Sequence, residues 1–258
     1  MEFKDKKILI TGGTSGIGLA AAKAFTKEGA FVCISGRTAD SISRALSSEG
    51  INTENCFGIA ADVSDSLSCS ELVNRSAERM GGIDVLVNSA GVWLEGPAEE
   101  VTDKQWAEVI DTNLKGTFFM CRYAIPHLEK SSGCIVNISS DSGLTGNDRA
   151  AVYCASKGGV TLLTKSLAIE LARKNIRVNA VCPGDVATPM LDRAVEEHSG
   201  GDSRQYLEQL LEIYPERPGR RFTKPEEVAA SITVLASSRV EAITGACLSI
   251  DFGLTAGY

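Results

Sequence analysis

The chain has 258 residues, enough for one large α/β domain or two small ones, and its 43% hydrophobic content is ample for a substantial core. The net charge is −7, and Lys and Arg form only short local groups, which argues against nucleic acid as the main partner. No apolar stretch approaches the length of a membrane span, and the charged start Met1-Glu2-Phe3-Lys4-Asp5-Lys6-Lys7 carries no apolar leader, so neither membrane insertion nor secretion is expected.

The first strand is expected over 7–11, where Ile8-Leu9-Ile10 reads as a buried parallel strand. It runs into Thr11-Gly12-Gly13-Thr14-Ser15-Gly16-Ile17-Gly18 and then into a strong helix former, Leu19-Ala20-Ala21-Ala22-Lys23-Ala24-Phe25, expected over 16–29. Strand, glycine-rich turn and helix is the context a dinucleotide fingerprint requires. Glycines let the backbone approach a pyrophosphate, and the helix N-terminus supplies N–H donors and partial positive charge. No Lys-Ser or Lys-Thr follows the glycines, so a P-loop is excluded.

Beyond this turn, strands are expected over 31–36, 55–60, 83–88, 133–139, 176–182 and 246–251. Helices are expected over 39–49, 65–80, 102–130, 152–174, 189–213 and 225–237. No linker, repeat or low-complexity segment interrupts this alternation. It implies one domain over 1–258, an α/β fold of the Rossmann-like doubly wound type. Its parallel sheet would have about seven strands flanked by helices on both faces. The segment 189–222 breaks the rhythm with Gly200-Gly201, Pro215 and Pro218-Gly219, and reads as a mobile substrate lid following the sixth strand.

The second strand ends Ser35-Gly36-Arg37. A carboxylate at the strand end would accept from the ribose hydroxyls of NAD. Here Gly36 stands in that place, and the Arg37 guanidinium suits a 2′-phosphate. NADP is therefore the expected cofactor and NAD the alternative, because the glycine turn carries the neutral Ser15 and adds no second cation for a 2′-phosphate.

Tyr153-Cys154-Ala155-Ser156-Lys157 places a phenol and an ammonium on one helical face, with Ser140 thirteen residues upstream. A phenol titrates near 10 unaided, and a fixed cation beside it lowers that value, making a proton-transfer device for an alcohol or ketone. The eight cysteines form no Cys-x-x-Cys and several sit in strand-like runs, so buried free thiols and a reducing, cytoplasmic setting are expected. Neither His127 nor His198 lies near a carboxylate or cysteine cluster, so no metal site is expected.

Taken together, the Thr11-to-Gly18 turn, Asp62-Val63, Asn88-Ser89-Ala90-Gly91, Asn113, Ser139-Ser140, the Tyr153/Lys157 pair and Pro183-Gly184 resemble the short-chain dehydrogenase/reductase family over essentially the whole chain. One departure is Ser89, where that family more often has a second Asn. The resemblance implies an NAD(P)-dependent oxidoreductase acting on secondary alcohols and ketones.

In it, Tyr153 exchanges the proton, Lys157 lowers its pKa and binds the nicotinamide ribose, Ser140 holds the substrate oxygen, and Asn113 links Lys157 to solvent through water. It further implies cofactor contacts from Gly12, Thr14, Ser15, Gly16, Ile17, Gly18, Arg37, Asp62, Val63, Asn88, Ala90, Gly91, Tyr153, Lys157, Pro183, Gly184, Val186 and Thr188. Substrate contacts are expected from Trp93, Ser140, Asp141, Asp148, Asp185 and Met190. These suit a cyclic or steroid-like alcohol, or a polyol whose hydroxyls pair with Asp141 or Asp185. Members of the family are usually dimers or tetramers. Two other readings share the fold: a cofactor-binding redox sensor, which should lack the Tyr–Lys pair, and a nucleotide-sugar-type epimerase or dehydratase, which normally carries a longer C-terminal substrate domain.

Overall fold

The computed structural model describes residues 1–216 and 218–256. The expected domain and lid therefore each include positions outside the described residues: 217 in the lid, 217, 257 and 258 in the domain. Seven parallel strands lie in the order β3-β2-β1-β4-β5-β6-β7. They are β1 (Lys7–Thr11), β2 (Phe31–Gly36), β3 (Cys56–Ala60), β4 (Val85–Asn88), β5 (Cys134–Ile138), β6 (Arg177–Pro183) and β7 (Cys247–Ile250).

Alternation along each strand loads both faces with apolar side chains, which a sheet covered on both sides needs. Ile8, Ile10, Val32, Ile34, Val85, Val87 and Val136 pack on one face with Phe25 of α1 (Gly16–Lys27) and Val228 and Ile232 of α9 (Pro225–Ala236). Leu9, Cys33, Leu86, Ile135 and Val178 face the other way. There they meet Leu72 of α3 (Ser66–Met80), Met120 and Leu128 of α5 (Gly116–Ser131), and Leu167 and Leu171 of α6 (Ala151–Leu171). Full burial of one such side chain contributes roughly 1.5–3 kcal/mol.

β1 pairs with both β2 and β4, so the strand order reverses there. The loops leaving β1 and β4 part at this point and open a crevice at the carboxyl end of the sheet.

The expected helix over 102–130 is three pieces: α4 (Asp103–Ile110), a π-helical turn (Asp111–Lys115) and α5. The wider turn lets Asn113 point inward to a polar partner that the hydrophobic pattern does not reveal. The expected helix over 189–213 is two, α7 (Pro189–His198) and α8 (Ser203–Glu212). Gly200 and Gly201, at φ +61° and +99°, break it in a conformation that side-chain-bearing residues rarely adopt. α2 is short, Ala39–Leu46.

Candidate active site

Gly12 has φ +64°, and a Cβ placed there would lie 2.7 Å from the Ala90 backbone nitrogen. A Cβ on Gly18 would lie 2.4 Å from the Gly12 carbonyl oxygen. These glycines let the β1 turn fold under the loop after β4, and Thr11 Oγ1 seals the junction by accepting from the Ser89 and Ala90 amides at 3.1 and 3.2 Å. Ser15 is the N-cap of α1, but its side chain makes no capping hydrogen bond, so the donors of the first helical turn stay available to an anion.

A Cβ on Gly36 would meet Thr14 Cγ2 at 2.6 Å, which leaves no room for a carboxylate side chain in this packing. Arg37, the next residue, is exposed at the entrance to α2. On the far side of the crevice, Thr188 Cγ2 would lie 3.1 Å from a Cβ on Gly16. Val186 bridges to Thr223 nearby. Asp62 is exposed, with its Oδ1 accepting from the Ser64 amide and hydroxyl, and Val63 beside it is buried.

Below the crevice, buried polar groups tie the strands to α6. Asn88 Nδ2 donates to Asn137 Oδ1 at 2.9 Å, and Asn137 Nδ2 donates to Thr164 Oγ1 at 2.9 Å. Ser139 Oγ donates to the Lys157 carbonyl oxygen at 3.0 Å, which makes Ser139 a tie between β5 and α6. Asn113 acts as a clamp. Its Oδ1 accepts from the Val92 amide at 2.8 Å, and its Nδ2 donates to the Val92 carbonyl at 3.0 Å and to Ser156 Oγ at 3.0 Å.

Ser140, Tyr153 and Lys157 meet where β5 ends against the first turns of α6, and all three are buried. Lys157 Nζ lies 5.7 Å from the centre of the Tyr153 ring and donates to the Ile138 carbonyl oxygen at 2.8 Å. Burial lowers its pKa to about 8, so it is largely an ammonium near neutrality. The phenol does not follow the expectation of a lowered pKa. Burial pushes it well above its ordinary value, and the charges of Asp141 and Asp185 add to the rise, against a hydrogen bond to Ser140 that pulls it down. Sequence spacing reveals the ammonium but not the desolvation, and desolvation wins.

Carboxylates crowd this pocket. Ser140 Oγ donates to Asp141 Oδ1 at 2.6 Å, and Asn147 Nδ2 donates to Asp141 Oδ2 at 3.4 Å. Asp185 Oδ2 accepts from the Tyr214 hydroxyl at 3.0 Å. Burial, then the charge of Asp141, raises the Asp185 pKa to about 6. Glu95 Oε2 accepts from the Tyr206 hydroxyl at 3.3 Å. Trp93 packs edge-on against Tyr153, with ring centres 4.4 Å apart.

Comparison with known proteins shows the family. The family model described as "short chain dehydrogenase" matches residues 6–199. The chain belongs to the short chain dehydrogenase family. A meso-2,3-butanediol dehydrogenase of Serratia marcescens is 35% identical over 257 residues, 99% of this chain and 97% of that protein. A 3beta-hydroxysteroid dehydrogenase of Mediterraneibacter gnavus is 36% identical, covering 98% of this chain and 96% of its own. A solved structure of an actinorhodin polyketide ketoreductase with NADPH superposes with TM-score 0.90 at 36% identity, over 98% of this chain and 99% of that one. As a short chain dehydrogenase, the protein is an NAD(P)-dependent oxidoreductase acting on CH–OH groups and the corresponding ketones.

The residues present fit a dinucleotide: a glycine cradle that a Cβ would fill, an uncapped helix N-terminus above it, and a guanidinium at the end of β2. Of the expected substrate contacts, Trp93, Ser140, Asp141 and Asp185 converge around Tyr153. Asp148 does not join them; it is exposed in the turn before α6. Met190 is half-buried at the start of α7. Sequence reasoning misses Glu95, because a lone carboxylate in a Gly-Pro loop carries no periodic signal. It also misses Tyr214, whose partner Asp185 is remote in the chain.

Proposed function

We propose that this short chain dehydrogenase transfers a hydride between NADP and a secondary alcohol or ketone, with Tyr153 exchanging the proton at the substrate oxygen. The observation that carries this is the burial of Tyr153 and Lys157, one helical turn apart, against Ser140 at the end of β5. When bound, the nicotinamide supplies or accepts the hydride. The protein holds it with the α1 N-terminus, Gly12, Thr14, Ser15, Gly16, Ile17 and Gly18, with Arg37, Asp62 and Val63, Ala90 and Gly91, and with Pro183, Gly184, Val186 and Thr188, while Asn88 braces β4.

Near neutrality the buried phenol keeps its proton, which suits donation to a ketone. The Lys157 ammonium stabilises the phenolate left behind and Ser140 orients the oxygen. Asn113 holds the Val92 segment in place beside them.

NADP preference is supported by Arg37, exposed and engaged by no hydrogen bond or ion pair among the described residues, beside a Gly36 that Thr14 keeps small. The segment 189–222 is proposed to be a lid. Thr223 hydrogen-bonds with Asp185 and Ala187, closing the base of the excursion, while Tyr206 and Tyr214 rest on Glu95 and Asp185. A homotetramer, or a dimer, is supported by exposed large apolar side chains, Leu162 and Ile169 on α6, Val234 on α9 and Leu248 on β7. A cytoplasmic location is supported by the eight free cysteines. Turnover of secondary alcohols and ketones followed by nicotinamide absorbance with both cofactors tests the reading. Ketone reduction faster with NADPH than with NADH is expected, and absence of turnover with either would overturn it.

A further inference from the structure

The pocket around Tyr153 has more acceptors than the redox step uses. Asp141 is buried and spends both oxygens on Ser140, Ser142 and Asn147. Asp185 is different. Its Oδ2 takes the Tyr214 hydroxyl, while its Oδ1 accepts no hydrogen bond from the described residues. Asp141 and Glu95 both act on it with like charge. Among the described residues no cation lies within ion-pair distance of Asp141 or Asp185, and Glu95 meets only the half-exposed Arg149, at 3.9 Å. Asp185 is half-buried, so this oxygen stays open to a hydrogen-bond donor brought by a ligand.

The negative wall sets the sign of the substrate. An anionic group near the reacting carbon would meet Asp141, Asp185 and Glu95, so carboxylate-bearing substrates are disfavoured. A second observation selects between a cation and a hydroxyl. The Trp93 Nε1 atom is buried and has no hydrogen-bond partner among the described residues, although the ring lies against Tyr153. That N–H needs an acceptor. An ammonium offers none, whereas a hydroxyl accepts from an N–H and donates to a carboxylate.

We infer that the substrate is an uncharged alcohol bearing a second hydroxyl near the reacting carbon, a polyol or the corresponding hydroxyketone, with Asp185 as the residue that selects it. This rests on the reading of Tyr153 as the proton-transfer residue. Asp185 Oδ1 accepts from the second hydroxyl, and Tyr214 fixes the carboxylate for that contact.

The test compares butan-2-ol, butane-2,3-diol, 3-hydroxybutyrate, a hexitol and a 3-hydroxysteroid, with both cofactors, in the wild type and in Asp185→Asn, Asp185→Ala and Tyr153→Phe. The diol or hexitol should exceed butan-2-ol in kcat/KM by about 10–100-fold, the size of one charge-assisted hydrogen bond, with 3-hydroxybutyrate below both. Asp185→Asn and Asp185→Ala should shrink that preference to within about threefold and raise the relative rate with 3-hydroxybutyrate, while NADPH fluorescence shows the cofactor still bound. Absence of turnover with diol and hexitol, a wild-type preference for butan-2-ol, 3-hydroxybutyrate or the steroid, or an unchanged ratio in both Asp185 variants overturns the inference. Failure of the underlying reading shows differently: Tyr153→Phe would then keep its turnover, whichever substrate is preferred.

Discussion

Lys157 and Tyr153 illustrate how burial reshapes a pair whose spacing alone suggests simple attraction. The same desolvation that lowers the lysine toward neutrality raises the phenol, so the pair holds its proton on tyrosine until charge develops nearby. Asp185 carries a related strain. Its carboxyl titrates near 6 instead of the ordinary 3.8, so the folded state binds its proton more tightly than the unfolded chain does. The Asp185 contribution to stability should therefore fall as pH rises from about 4 to about 6 and level off above, an effect of up to about 3 kcal/mol.

Asp185→Asn removes that dependence. In denaturant melts its advantage over wild type should be small at pH 4 and grow by roughly 1–3 kcal/mol at pH 7. A difference that does not change with pH would show that the carboxylate is not strained. Arg37 is read through its charge. Arg37→Asp should reverse or flatten the NADP over NAD ratio of kcat/KM by about 1–3 kcal/mol, because a carboxylate repels a 2′-phosphate and accepts from ribose hydroxyls. A ratio that stays put, or a wild type already preferring NAD, would mean that Arg37 points to solvent.

At the scale of elements, the strand–turn–helix unit around residues 7–27 is readable from sequence because each part has its own local signal. Ile8-Leu9-Ile10 is apolar throughout, the glycines punctuate, and the alanine-rich run favours helix. All seven expected strands occur within a few residues of their expected bounds for the same reason. The π-helical turn at Asp111–Lys115 is not readable, since the Asn113–Val92 clamp that fixes it joins segments far apart in sequence. The split between α7 and α8 carried a signal in Gly200-Gly201, which the amphipathic pattern on either side obscures. In the site, local motifs mark the residues around Tyr153, but the Asp185–Tyr214 and Glu95–Tyr206 contacts depend on tertiary packing alone.

The glycine turn gives a direct element-scale test. Gly18→Ala sets a methyl 2.4 Å from the Gly12 carbonyl oxygen, a backbone atom that yields only by moving the turn. NADPH affinity measured by fluorescence should fall tenfold or more, roughly 1.4 kcal/mol, and a variant that binds normally would show that the turn does not carry the cofactor.

For the whole molecule, the sheet reversal at β1 and β4 places the crevice, and α6 brings Tyr153 and Lys157 to its edge. The apolar patch on α6 predicts assembly: Leu162→Glu with Ile169→Glu should lower the mass seen by light scattering to that of a smaller oligomer, whereas an unchanged mass would remove α6 from the interface. Hydride transfer with proton exchange through Tyr153 is decided by the kcat of Tyr153→Phe, measured beside its NADPH affinity. A loss of about 10²–10⁴-fold in kcat with affinity nearly intact is expected. A variant keeping more than about a tenth of wild-type kcat would contradict it.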